Sequence, residues 1–565
     1  MRSKLFLLVL TAVFASFAVE VNAQSYAITN ARIVTVSGST IDKGTVVVRN
    51  GLIEAVGANL KAPADAQVFD GSGLTVYPGF IDALTNLGLP AARPATPGAG
   101  GSGGAQAAFA AAAVAQSAPP TSNSNFPAGL RPDDQIFDEL RAGDAQFEAV
   151  RNAGFTTALT TGRTGILNGQ SAVINLAGET VSSMVVRSPY ALHVSFTTVG
   201  GGQYPASLLG TFSALRQMFY DAQRLQEMQR AYATDPKGMK RPESDRSLEA
   251  LYPAIAKSMP VVFNANTEAQ IVRALDLIKE LNLRGMIAGG QEAWKVADRL
   301  KAQNVPVLLS LNFPKRTAAA SADADAEGLE VLRLRAETPK GAAKLAAAGV
   351  KFAFQSGGAT AVGDFFVNAG KAVEGGLNKD AAIRAMTLGS AEILGVADRM
   401  GSIEPGKIAN LVLVRGDIFG KDRFVPQVIV DGKVFEQKEP VRPAGGRPGT
   451  PGAAAPGAPP QPGPGLPNVA GIYTITIEIP GQQLSATLNF TQSGALLTGT
   501  MVSGLGTTQL QNGSVTADGF SFTASVPFGG ATVDISARGR VTGNSIDGTI
   551  DSPQGAVPFS GTKNP

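Results

Sequence analysis

The chain has 565 residues, too many for one ordinary domain and enough for several cores. A formal net charge of +3, with 16% charged residues and no dominant basic run, leaves no electrostatic footprint for a nucleic-acid partner. With no cysteine and one histidine, the chain excludes disulfides, thiolate metal sites, cysteine nucleophiles and any multi-histidine metal centre of its own.

Arg2 and Lys4, the apolar run 5–19 and Val21-Asn22-Ala23 predict a secretory signal over 1–23. The run is shorter than the ~20 apolar residues a membrane span needs. The mature protein is therefore expected to start near Gln24 and to be exported, periplasmic or extracellular, with no span after cleavage. Short strands follow. Ala27 to Val34 nearly alternates, and Val46-Val47-Val48-Arg49 runs into Asn50-Gly51, a strong hairpin signal. Val428-Ile429-Val430 and Asp431-Gly432 repeat that pattern near the far end of the same region.

Between these ends, strand patterns alternate with helical ones, which predicts an α/β parallel barrel. Residues 91–127 are Ala, Gly, Ser and Pro and read as a low-complexity insertion, either a spacer or a lid. Strands are expected at Phe155-Thr156-Thr157-Ala158-Leu159, Pro260 to Asn266, Leu283 to Gly290, Pro306 to Leu311 and Val350 to Gly358. Helices are expected over 208–230, 269–282, 291–301 and 378–394. Residues 442–467 form a Pro/Gly/Ala linker. Beyond it, alternation in Gly471 to Ile479 and a recurring Thr-Gly texture predict a small antiparallel all-β barrel or sandwich.

Tyr77-Pro78-Gly79-Phe80-Ile81-Asp82-Ala83-Leu84-Thr85-Asn86 resembles the stretch that opens the barrel of the amidohydrolase superfamily. There Pro-Gly-Phe-Ile-Asp precedes two histidines at alternate positions. Alternate residues of a strand face one way, so both imidazoles can grip one metal. Met400 to Val414 resembles the family's return segment, with Ala409-Asn410-Leu411 where Ala-Asp-Leu is usual. Gly169 to Leu176 is similar to an exported, imidazolonepropionase-like branch. The resemblance covers most of 25–440 and implies a TIM-type (β/α)8 barrel over 77–400. It also implies a composite small β-sandwich from 24–76 plus 401–440. With the linker 441–468 and the β domain 469–565, that completes the expected organisation.

The same resemblance implies a hydrolase of C–N bonds whose metal grip is gone. Leu84 and Asn86 stand in place of the paired histidines, Ala288 in place of a later one, and Gly357 in place of the terminal Asp that serves as ligand and base. Leucine has no lone pair to give, and a neutral amide oxygen is a poor zinc ligand. Asp82, Asn86, Asn264, Asn266, Gln355 and Ser356 remain as candidate ligand-binding residues at strand ends, where sites of this fold lie. Neutral amides and hydroxyls suit a small polar ligand. His193 reads either as a structural histidine or as a remnant of a site.

Three functions are open at this point. One is an exported pseudoenzyme that binds a ligand or partner with no cofactor. A second is an active amidohydrolase on dipeptide or non-peptide C–N bonds with an atypical metal site, zinc being the alternative cofactor. The third is an assembly role beside an active amidohydrolase paralogue.

Overall fold

The computed structural model describes residues 25–90, 129–143, 145–163, 165–197, 204–316, 327–357, 362–420, 422–437 and 467–563, apart from short hairpin connections within the last range. The expected signal over 1–23, the insertion 91–127 and nearly all of the linker lie outside these residues. The chain divides into two compact units, Met1–Val441 and Arg442–Pro565. No helix among the described residues is long and apolar enough to cross a membrane.

Both ends of the first unit build one sheet. Its order is Lys433–Glu436, Phe424–Val430, Leu411–Arg415, Thr75–Pro78, Ser25–Ile33, Ile41–Arg49, Leu52–Gly57, with Gln67–Asp70 also along Ser25–Ile33. The two turns read from sequence are tight hairpins, with Arg49 opposite Leu52 and Val430 opposite Lys433. Asn50, Gly51, Asp431 and Gly432 all have positive φ, the backbone a two-residue hairpin demands. Ile28, Val48 and Ile53 from one end share a core with Leu411, Leu413 and Ile429 from the other.

The barrel wall has eight strands. Phe80–Thr85 and Phe155–Thr160 run parallel. So do Leu192–Ser195, Val261–Ala265, Gly285–Gly289, Val307–Ser310 and Phe352–Gln355, each beside the next. The remaining strand corrects the regular pattern. Ala172–Asn175 runs antiparallel to Phe155–Thr160, and Leu167–Gln170 runs antiparallel to Leu192–Ser195. Only Ser171 separates these two segments, so one strand runs against both neighbours. The physical reason is the short return after Thr160, with no helix to carry the chain back for a parallel pairing. The wall closes where Gly357 N donates to Leu84 O at 3.3 Å.

The outer helices largely follow the apolar periodicity. Glu268–Glu280 starts in a capping box of Thr267 and Gln270, and Leu208–Thr234 starts on Ser207. The single helix expected over 378–394 is two, Lys379–Ala385 and Leu388–Leu394. Thr387, at φ −133 and ψ −106, breaks it between them.

The second unit is a closed antiparallel barrel of eight strands, from Gly471–Ile479 to Gly555–Lys563, which pair with each other. Tyr473, Ile475, Leu488, Phe490, Phe520 and Phe559 are buried in its own core. Of the two all-β alternatives, the barrel is the one formed.

Candidate functional site

All eight wall strands reach one cavity of about 450 Å³ at the end of the barrel where the parallel strands finish. Leu84, Asn168, His193, Asn264, Ala288, Ser310 and Gln355 line it from within strands, and Thr161, Asn266 and Gly357 from just beyond them. A volume of this size takes a small molecule.

Local structure fixes several of these side chains. Asn266 precedes the helix cap, and its N–H donates to Gln270 Oε1 at 2.9 Å. Its amide packs against Gly289. A β-carbon on Gly289 would stand 2.3 Å from Asn266 Oδ1, and φ there is +93°, so the close approach requires glycine. Gln291 Nε2 donates to Asn312 O at 3.1 Å, and Asn312 N donates to Ser310 Oγ at 3.1 Å. Gln355 Nε2 donates to Leu308 O at 3.3 Å. Arg163 Nη2 reaches Asn86 O at 3.4 Å, and Arg163 is the single charged side chain among the described lining residues.

The expected positions divide cleanly. Asn86, Asn264, Asn266 and Gln355 line the cavity, as do the altered positions Leu84, Ala288 and Gly357. Asp82 and Ser356, also expected as ligand contacts, do not line it. They are buried and occupied with each other. Ser356 N donates to Asp82 Oδ1 at 2.9 Å and Ser356 Oγ to Asp82 Oδ2 at 2.5 Å, while Leu84 N donates to Oδ1 at 3.3 Å. Asp82 thus fastens the first wall strand to the end of the last. Burial pushes its carboxyl up to about 6, against the pull of those hydrogen bonds.

The sequence reading passed over the contributions of Thr161, Arg163, Asn168, Ser195, Gln291 and Asn312. His193 is hydrogen-bonded in the wall and also borders the cavity. Its Nε2 lies 2.8 Å from Ser171 Oγ, and the ring also lines the cavity. Burial pushes its pKa down to about 3, so the imidazole is neutral. The signal for it was present. His193 and Ser195 stand two apart near a strand end, the same spacing as Asn264 and Asn266.

This donor set does not fit a hydrolytic metal. The described residues of the lining include one imidazole and no carboxylate. Among the described residues, no group of three or more His, Cys, Asp and Glu side chains is disposed around a common point. Of the two places where the resemblance puts paired histidines, one holds the hydrocarbon of Leu84 and the other the neutral amide of Asn86. Leu84, Val262 and Ala288 line the cavity and continue into an apolar cluster with Leu159, Leu308 and Ala353. A terminal carboxylate could not simply be put back at Gly357, whose φ of +76° strains any other residue.

Comparison with known proteins places this geometry. The amidohydrolase family model matches residues 269–435. A solved amidohydrolase from Thermotoga maritima MSB8 is 25% identical, with a TM-score of 0.60 over 73% of this chain and 100% of that one. A prolidase complexed with N-methylphosphonate-L-proline is 17% identical, with a TM-score of 0.44 over 74% of this chain and 100% of its own. A Xaa-Pro dipeptidase with methionine in its active site is 16% identical, with a TM-score of 0.42 over 73% and 100%. No curated protein sequence matches the chain.

Proposed function

We propose that this member of the amidohydrolase superfamily binds a small polar ligand at its barrel mouth and does not carry out metal-dependent hydrolysis. One observation carries the reading: a floor of Leu84, Val262 and Ala288 beneath a ring of amides and hydroxyls. A metal hydrolase needs a cation to bring its water's pKa to about 7 and a base to take the proton. Here none of the described lining residues offers a carboxylate for either task. Asn86, Asn264, Asn266, Asn312 and Gln355 offer neutral donors and acceptors instead, which orient a ligand without ionising it. The expected leader over 1–23 supports an exported protein, and we place the ligand outside the cytoplasm on that basis.

The test is turnover. The purified protein is assayed on a panel of dipeptides and cyclic amides, with added zinc, manganese or cobalt, and with and without chelator. The reading expects no hydrolysis above the buffer blank. Metal-stimulated, chelator-sensitive turnover that stays with the protein through successive columns would overturn it.

A further inference from the structure

The mouth has a chemical polarity of its own, set by the pair His193 and Ser171. Ser171 sits at the break in the antiparallel strand and is fully buried. Its Oγ has one proton for two contacts, Ala191 O at 3.2 Å and His193 Nε2 at 2.8 Å, and both are hydrogen bonds only when that proton points to Ala191 O, which cannot donate. The 2.8 Å contact to His193 Nε2 then has Nε2–H as donor and Ser171 Oγ as acceptor. That fixes the tautomer, leaving the lone pair on Nδ1. Among the described residues this nitrogen has no hydrogen-bond partner, and it keeps contact with solvent, so it faces the cavity that His193 lines.

The surrounding wall has the same bias. Among the described residues, four of nine buried side-chain atoms without a hydrogen-bond partner belong to cavity-lining residues: Thr85 Oγ1, Thr161 Oγ1, Asn168 Oδ1 and Gln355 Oε1. Two of these are carbonyl oxygens, which only accept. These atoms are themselves sealed from solvent, so a ligand N–H meets accepting capacity at His193 Nδ1 and not at them. A cation would also bring N–H groups, but the guanidinium of Arg163 at the same mouth opposes it.

We propose that His193 presents Nδ1 to the cavity as a fixed hydrogen-bond acceptor, and that the ligand meets it with a neutral N–H of an amide or urea group. This deepens the binding reading above and rests on it. The depressed ionisation of the ring agrees with a histidine that works only in its neutral form.

The single histidine makes the test direct. In protein labelled with ring-15N histidine, one pair of imidazole nitrogens is seen. The expected spectrum has the proton on Nε2 at pH 7 and still a neutral ring at about pH 4, a unit above its depressed value. Ser171→Ala, which removes the fixing partner, is expected to give a mixture of tautomers. Acetamide is the ligand probe. It is expected to shift the Nδ1 resonance in wild type, while N,N-dimethylacetamide, which has no N–H, leaves it in place. A proton on Nδ1, a ring that titrates near its ordinary pKa, no shift with acetamide, or equal shifts with both amides would each overturn the proposal. None of those outcomes bears on whether the protein hydrolyses anything. Turnover, conversely, would remove the binding reading while leaving the tautomer as measured.

Discussion

At the scale of single residues, Asp82 and His193 pull stability in opposite directions with pH. Asp82 has a folded pKa of about 6 against 3.8 for the free group. The folded chain therefore keeps a proton that the unfolded chain releases. Its contribution is whole below about pH 4 and lost as pH rises to about 6, a change of ~3 kcal/mol. His193 is the reverse. Its folded value near 3 lies below the ordinary 6.5, so its contribution is whole above about pH 6.5 and lost as pH falls. The two must be separated by a variant. Asp82→Asn keeps the shape and removes the proton, so its stability relative to wild type is expected to rise by about 3 kcal/mol between pH 4 and pH 7. Urea unfolding followed by Trp294, the only tryptophan, reads the first unit alone. Parallel profiles for variant and wild type would contradict the assignment. Such residue-level roles were partly legible in the chain. The strand-end rule finds Asn86, Asn264, Asn266 and Gln355 because each polar residue interrupts an apolar run. It cannot tell that Ser356 turns into the wall toward Asp82, since that depends on how first and last strands meet.

At the scale of elements, the join between return segment and barrel hangs on Asn410. Its Nδ2 donates to Thr157 Oγ1 at 3.1 Å and Asn175 Oδ1 at 3.0 Å, and its Oδ1 accepts from Asp431 N at 2.8 Å. The site needs a donor and an acceptor on one buried side chain. An aspartate at this place cannot supply both, because its carboxylate would face the Asn175 oxygen. Asn410→Asp is expected to cost about 1–3 kcal/mol, read as a lowered urea midpoint of the first unit. An unchanged midpoint would show that the network is not required. The antiparallel strand through Ser171 is the element that pattern reading could not foresee. Apolar runs reveal that a segment is a buried strand but carry no direction, and the short return after Thr160 decides it. Arg163 escaped for a related reason, since it lies on that return, where no periodicity marks a side chain as facing anything.

For the whole molecule, the two units have separate cores, and the second closes its sheet on itself. A closed barrel leaves no open edge and needs no neighbour to complete it. Residues 467–565 expressed alone are expected to unfold cooperatively at the same temperature as the corresponding transition in the full chain. A fragment without a transition would contradict independent folding. The hairpin turns and the return segment made the two-ended first unit readable from sequence, because both signals are local. At the barrel mouth, the described lining offers one imidazole and no carboxylate to a metal ion. Elemental analysis of full-length protein produced in medium supplied with zinc, manganese and iron tests that most directly. The account predicts transition metal far below one equivalent per chain, with no gain in thermal stability when zinc is added. One tightly held equivalent, lost with chelator and restored with zinc, would contradict it.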